Sequence, residues 1–188
     1  MKEATTTNKI QSSLQLLADS LTGNDSKGRK ARELVEQGWR ATYAALFGWS
    51  FVDVLAQHHV EAIEWHWQSR LAIIKGEKPE YHADFEKWAR GHMKSTCARR
   101  IAVVDAFISY AYEVGGYCLY FSGTDNKTDL HAVSINQLLQ SKAMHEYAPA
   151  LTRVRKSEKG GRSLGWKATF FYTDAGCLLY TSPSPRDS

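Results

Sequence analysis

The sequence predicts an α/β domain in which helices flank a parallel sheet, the sheet being incomplete and preceded by an amino-terminal helical layer. Three observations predict it. A loop-like stretch, Trp88 to Met93, follows a short strand-like segment, Asp84 to Ala89, and leads into a helix-like one. That helix, Lys94 to Tyr112, carries Ala98, Ile101, Val104, Ile108 and Tyr112 at the spacing of one face, and Gly115-Gly116 stops it. The β-prone run Tyr117-Cys118-Leu119-Tyr120-Phe121 comes next. Strand, loop, helix and buried strand require a parallel crossover, with the first loop at the carboxyl edge of the sheet.

Composition is compatible with this class and excludes others. The chain has 188 residues, 43% hydrophobic and 23% charged, enough for one globular domain with a sizeable core and unlike a disordered chain. A net charge of +4 and a pI near 8.9 suit a nucleic-acid partner without demanding one. The three cysteines, Cys97, Cys118 and Cys177, lack C-x-x-C spacing, which points to neither a zinc site nor a disulfide framework and favours a reducing compartment, the cytoplasm by default. Met1 to Thr22 has no basic start followed by a long apolar core, and no run approaches the ~18 apolar residues of a membrane span.

The elements follow in order, within expected divisions at 1–28, 29–80, 81–176 and 177–188. Ile10, Leu14, Leu17 and Leu21 space a short amphipathic helix, and Thr22 to Gly28 is a linker by composition. A second helix fits Arg29 to Phe47, with Leu34, Val35, Trp39, Leu46 and Phe47 apolar. A third runs from Ser50, as its N-cap, to Ile74. On that third helix His58, His59, Glu61, Glu64 and His66 raise a metal hypothesis, but His59 and His66 are seven apart, whereas a zinc pair needs two histidines four apart on one face. A half-exposed polar stripe is the plainer reading. Trp65, Trp67 and Trp88 are read as core in preference to base-stacking platforms.

Beyond the β-prone run, Asp125 caps a helix to about Gln140, with Leu130, Ile135, Leu138 and Leu139 inward. Lys142 to Tyr147 continues as helix until Pro149. Arg153, Arg155, Lys156, Lys159, Arg162 and Lys167 form the densest basic segment, read either as a solvated loop or as a contact to phosphate backbones. Trp166 to Thr173 alternates as a strand. The final stretch, Cys177 to Asp187, reads like the translation of a transposon-type sequencing adapter, so residues 177–188 are expected to pack against nothing and the biological chain to break off near Gly176.

The chemistry lies in Trp88-Ala89-Arg90-Gly91-His92-Met93-Lys94-Ser95-Thr96. In the phosphate-binding pattern G-x-x-x-x-G-K-[ST], glycines let backbone N–H groups wrap phosphate oxygens, the lysine reaches the β/γ-phosphates and the hydroxyl binds Mg²⁺. Lys94 and Ser95 fit. Trp88 and Met93 stand where the two glycines belong, and only Gly91 gives the loop freedom. An ordinary basic helix start after a turn is the competing reading.

The run Arg90 to Thr96, then Tyr117 to Thr124, then Asp125 to Leu139 with His131, resembles the ATPase domain of the large terminase subunits of tailed bacteriophages, over roughly Gln57 to Ala175. The resemblance implies a P-loop NTPase-type parallel sheet and ATP hydrolysis driving DNA translocation, with ATP and Mg²⁺ as cofactors. It implies double-stranded DNA, a small terminase subunit and a portal as partners, no membrane, and the host cytoplasm as location. By the same resemblance Gly91, His92, Met93, Lys94, Ser95 and Thr96 cradle the nucleotide and Ser95 ligates the metal. Lys94 and Arg90 are catalytic, Arg90 stabilising charge on the transferring γ-phosphoryl group. Ser122 and Thr124 match the family's S-G-T element, and Gln57 and His59 are candidates for contacting adenine. Four apolar residues closing with Asp and Glu, the element that holds Mg²⁺ and polarises water, occur nowhere after the second strand, so this stretch is expected to bind nucleotide weakly and not to hydrolyse it. A helicase-like ATPase and a non-catalytic nucleic-acid-binding module are the alternatives.

Overall fold

The computed structural model describes the backbone of residues 28–79, 93–122, 125–154, 166–167 and 170–183, and the side chains of 28–79, 93–115, 129–154 and 172–176. The described residues are mostly helical, which overturns the expected parallel-sheet class. Its helices are α1 (Arg29–Glu36), α2 (Trp39–Phe47), α3 (Trp49–Val52), α4 (Gln57–Ile74), α5 (Lys94–Ala111), α6 (Asp125–Leu139) and α7 (Lys142–Tyr147). The strands are β1 (Gly116–Ser122), β2 (Trp166–Lys167), β3 (Phe170–Tyr172) and β4 (Cys177–Pro183), in the order β1-β4-β3-β2.

That small sheet is mixed. β1 runs parallel to β4, from Gly116 opposite Cys177 to Ser122 opposite Pro183, whereas β4 with β3 and β3 with β2 are antiparallel. The parallel partner of β1 among the described residues therefore lies after it in the chain, not before α5, and the expected strand at 84–89 lies outside the described residues. The pairing of β4 also corrects the expectation that the segment after Gly176 packs against nothing. Cys177-Leu178-Leu179-Tyr180-Thr181 is β-prone, and β1 and β3 each offer it a row of backbone N–H and C=O groups.

The expected long helix 29–47 is two helices. Gly38 takes φ +96°, a conformation that costs glycine little, and turns the chain between α1 and α2. The buried Thr42 hydroxyl donates to the Leu34 and Gly38 carbonyls at 3.1 and 3.0 Å, which satisfies carbonyls at the break. The next helix breaks as well. Ser50 lies inside α3 instead of capping a helix that runs to Ile74, and α4 starts only at Gln57. Its start is held by His59, whose Nδ1 accepts from the Ala56 N–H at 3.0 Å.

α5 is the axis of the core. Cys97, Ile101, Ala102, Val103, Val104, Phe107, Ile108, Ser109, Tyr110 and Ala111 are all buried, so its carboxyl-terminal half is enclosed around its circumference and not along one stripe. α1, α4, α6 and β1 pack on it. Arginines reinforce three of these contacts or their surroundings. Arg32 of α1 donates through Nε to the Ala111 carbonyl at 3.0 Å, closing the carboxyl end of α5. Arg70 of α4 donates to Ser109 Oγ, whose own proton goes to the Asp105 carbonyl at 2.6 Å. Arg100, on α5 itself, lies with its guanidinium carbon 4.2 Å from the Phe51 ring centroid and 5.3 Å from that of Phe47. α5 ends at Ala111, ahead of the glycines expected to stop it, and the residue beyond it that takes a left-handed conformation is Glu113, at φ +55°.

α6 and α7 fall where the sequence places helix, with a break between them at Gln140 and Ser141. Ser141 Oγ accepts from Met144 N–H to cap α7. On α6, however, Ala132, Ile135 and Leu139 are buried while Leu130 is 67% exposed, which corrects its assignment to the inward face. The helix at 10–21, the linker to residue 27 and the basic residues 155–162 lie outside the described residues.

Candidate functional site

Of the residues singled out for phosphate binding, the structure describes Met93, Lys94, Ser95 and Thr96; Arg90, Gly91 and His92 lie outside the described residues. Met93 takes φ +53° and ψ +15°, the left-handed region where glycine is favoured. It occupies the position that is glycine in the standard pattern. α5 then begins at Lys94, and its first backbone hydrogen bond of this turn runs from Cys97 N–H to the Met93 carbonyl at 2.8 Å. Lys94 and Ser95 are exposed and Thr96 is half-buried.

The electrostatics of this turn favour an anion. A helix start carries partial positive charge from N–H groups that have no intrahelical acceptor. The first turn of α5 contains no acidic residue, the Met93 side chain makes no capping hydrogen bond, and Lys94, Arg99 and Arg100 add cations within two turns. Arg99 donates through Nε to the Ser95 carbonyl at 2.9 Å and through Nη1 to Ser134 Oγ of α6 at 2.7 Å. Arg100 donates to the Thr96 carbonyl at 3.3 Å, and its burial draws its pKa below the ordinary arginine value.

β1 returns along α5 after a connection of only residues 112–115, so its carboxyl end, Ser122, lies toward the Lys94 end. Thr124 lies outside the described residues. At the opposite end of α5, a cavity of about 450 Å³ is lined by Gly28, Tyr110, Glu113, Tyr172 and Asp174 among others. The start and end of an 18-residue helix are separated by roughly 27 Å, so this cavity is no part of the turn at Lys94.

The helix of histidines does not assemble a site. His59 is buried and turned to its own helix start, Gln57 donates to Glu61 at 3.1 Å, and among the described residues no group of three His, Cys, Asp or Glu side chains is placed to hold a metal ion. Trp67 is 4% exposed, as its reading as core requires, while Trp65 is half-buried and Trp88 lies outside the described residues. Among the described residues no helix is long and apolar enough to cross a membrane.

Sequence reasoning passed over a second polar group, on α5 itself. Asp105 stands among apolar neighbours, and burial pushes its carboxyl up to about 6, against a smaller opposing pull from Arg70. Tyr43, fully buried, has its phenol pushed well above the ordinary value, first by burial and then by Asp105. The signal that would have found it is the single carboxylate in Ile101-Ala102-Val103-Val104-Asp105-Ala106-Phe107-Ile108.

No protein-family model, curated protein or solved structure matches the chain. Among the described residues, the class that fold and site define is thus a mostly helical domain with a basic helix start at Lys94. The particular reading of that helix start rests on its chemistry.

Proposed function

We propose that the turn at Met93 to Thr96 binds the phosphates of ATP, and that the chain is the nucleotide-binding part of a DNA-translocating motor of the large terminase kind. The observation that carries this reading is Met93, a bulky residue held in a glycine-like backbone conformation at the pattern's glycine position, directly before a helix that opens with Lys94 and Ser95. A backbone held off its preferred region is a feature of ligand-clamping turns. Lys94 neutralises β/γ-phosphate charge, Ser95 ligates Mg²⁺, and Gly91, His92 and Thr96 complete the cradle. Arg90 stabilises the transferring phosphoryl group in the motor; double-stranded DNA, a small subunit and a portal are its partners. The reading draws on the helix start and not on a parallel sheet.

Titration of the 188-residue chain with Mg·ATP, followed by calorimetry, tests it. Weak binding without hydrolysis is the expected result, abolished in Lys94→Ala. Equal binding by Lys94→Ala and the native protein refutes it. A second reading, a non-catalytic helical nucleic-acid-binding module, is favoured by the helical architecture together with Lys94, Arg99 and Arg100 on one turn and a half. In that case a DNA duplex binds with a steep salt dependence while Mg·ATP does not bind.

A further inference from the structure

We infer that Arg99 is a positioning residue that ties the first turn of α5 to α6, so that phosphate held at Lys94 and Ser95 is felt by α6. This rests on the phosphate-binding reading of that turn. The geometry is a directed chain of hydrogen bonds. The Arg99 guanidinium donates through Nε to the Ser95 carbonyl at 2.9 Å and through Nη1 to Ser134 Oγ at 2.7 Å. Ser134 in turn donates its proton to the Leu130 carbonyl at 2.8 Å, which leaves its oxygen to accept from Arg99. One rigid, planar group therefore spans from the backbone of a proposed metal-ligating residue to the middle of the neighbouring helix.

Two arms at a fixed angle are what the span requires. Lysine carries the same charge on a single ammonium and cannot hold both acceptors with the same geometry. Both bonds are charge-assisted, the stronger class of hydrogen bond. His131 lies one turn before Ser134, and burial and then the Arg99 charge lower its pKa below the ordinary value, so the guanidinium faces a neutral imidazole at pH 7. Ala132, Ile135 and Leu139 of α6 belong to the same buried apolar cluster as the core residues of α5, and such packing has no preferred direction along the helix. The Arg99 link supplies that direction: a shift of the first turn of α5 pulls on Leu130 to Ser134.

Hydrogen–deuterium exchange on the full chain, with Mg·ATP and separately with inorganic pyrophosphate as probes, tests the link. In the native protein both probes slow exchange at residues 95–98 and also at 130–135. In Ser134→Ala the affinity stays within about threefold and residues 95–98 are still protected, but the response at 130–135 is lost. Arg99→Lys also loses the α6 response. An undiminished response at 130–135 in Ser134→Ala and Arg99→Lys overturns the inference, as does a native protein in which residues 95–98 respond and 130–135 do not. A native protein in which neither segment responds to either probe refutes the phosphate-binding reading, and this inference with it.

Discussion

Replacing Asp105 by asparagine is expected to stabilise the protein at neutral pH. The Asp105 carboxyl is pushed up to about 6 because burial disfavours its charge more than Arg70 favours it, while an ordinary aspartate titrates near 3.8. Between those values the folded state holds a proton that the unfolded chain has released, so stability falls as pH rises through the interval and levels off above it. At about 1.4 kcal/mol per pH unit, the interval corresponds to roughly 3 kcal/mol. Asparagine keeps the shape and has no charge to desolvate, but it also withdraws the carboxylate that faces Arg70, which trims the gain to roughly 1–3 kcal/mol. His131 acts with the opposite sign. Its folded pKa lies below 6.5, so its contribution rises with pH just beneath that value, equally in both proteins, and cancels in their difference. Urea unfolding of Asp105→Asn and the native protein at pH 4, 5, 6 and 7 measures that difference. It should be smallest at pH 4 and reach its full value by pH 7. A difference that stays constant across the series, or one that favours the native protein increasingly as pH rises, refutes the reasoning.

Two further outcomes follow from the packing. A Cβ at Gly28 would stand 3.1 Å from both the Tyr110 and Ala111 carbonyl oxygens, so Gly28→Ala should lower stability by about 1–3 kcal/mol in denaturant unfolding, and an unchanged midpoint would show that α1 moves aside freely. Ending the chain after Gly176 removes β4 and with it every pairing of β1 in the described sheet. A loss of about 1–2 kcal/mol lowers the thermal midpoint by roughly 2–8 °C in a chain of this size, and a midpoint identical to that of the full chain would mean that the β4 pairing contributes nothing to the fold.

Local chemistry made some elements legible and left others hidden. β1, α6 and α7 were readable because turn, capping and breaking residues stand beside them, Gly115-Gly116, Asp125 and Pro149 among them, which act over a few residues. The break at Gly38 was not, because the apolar spacing of Leu34, Val35, Trp39 and Leu46 continues through it, and all four are buried as a continuous helix would bury them. On α6 the periodicity admits either of two faces, and only the position of α5 decides for Ala132, Ile135 and Leu139 over Leu130. The sheet failed for a different reason. β propensity identifies a strand but not its partner, and Gly116 finds its partner at Cys177. In the candidate site, the helix start at Lys94 was legible from the loop pattern. The spans of Arg99 to Ser134 and of Arg70 to Ser109 join helices that are far apart in the chain, and nothing in either neighbourhood announces them.

The enclosure of α5 has a consequence for synthesis on the ribosome. α1 and α4 reach their places against α5, yet α5 ends at Ala111, 37 residues after α4 ends at Ile74. At roughly 5–20 residues per second, that gap is about 2–7 s of translation. For that time Leu34, Val35, Ile63 and Trp67 have emerged without the helix that covers them, and the nascent layer is a target for chaperones and for premature association with other chains. The order in which the chain is made therefore places its most vulnerable moment before the helix that carries Lys94 has been finished.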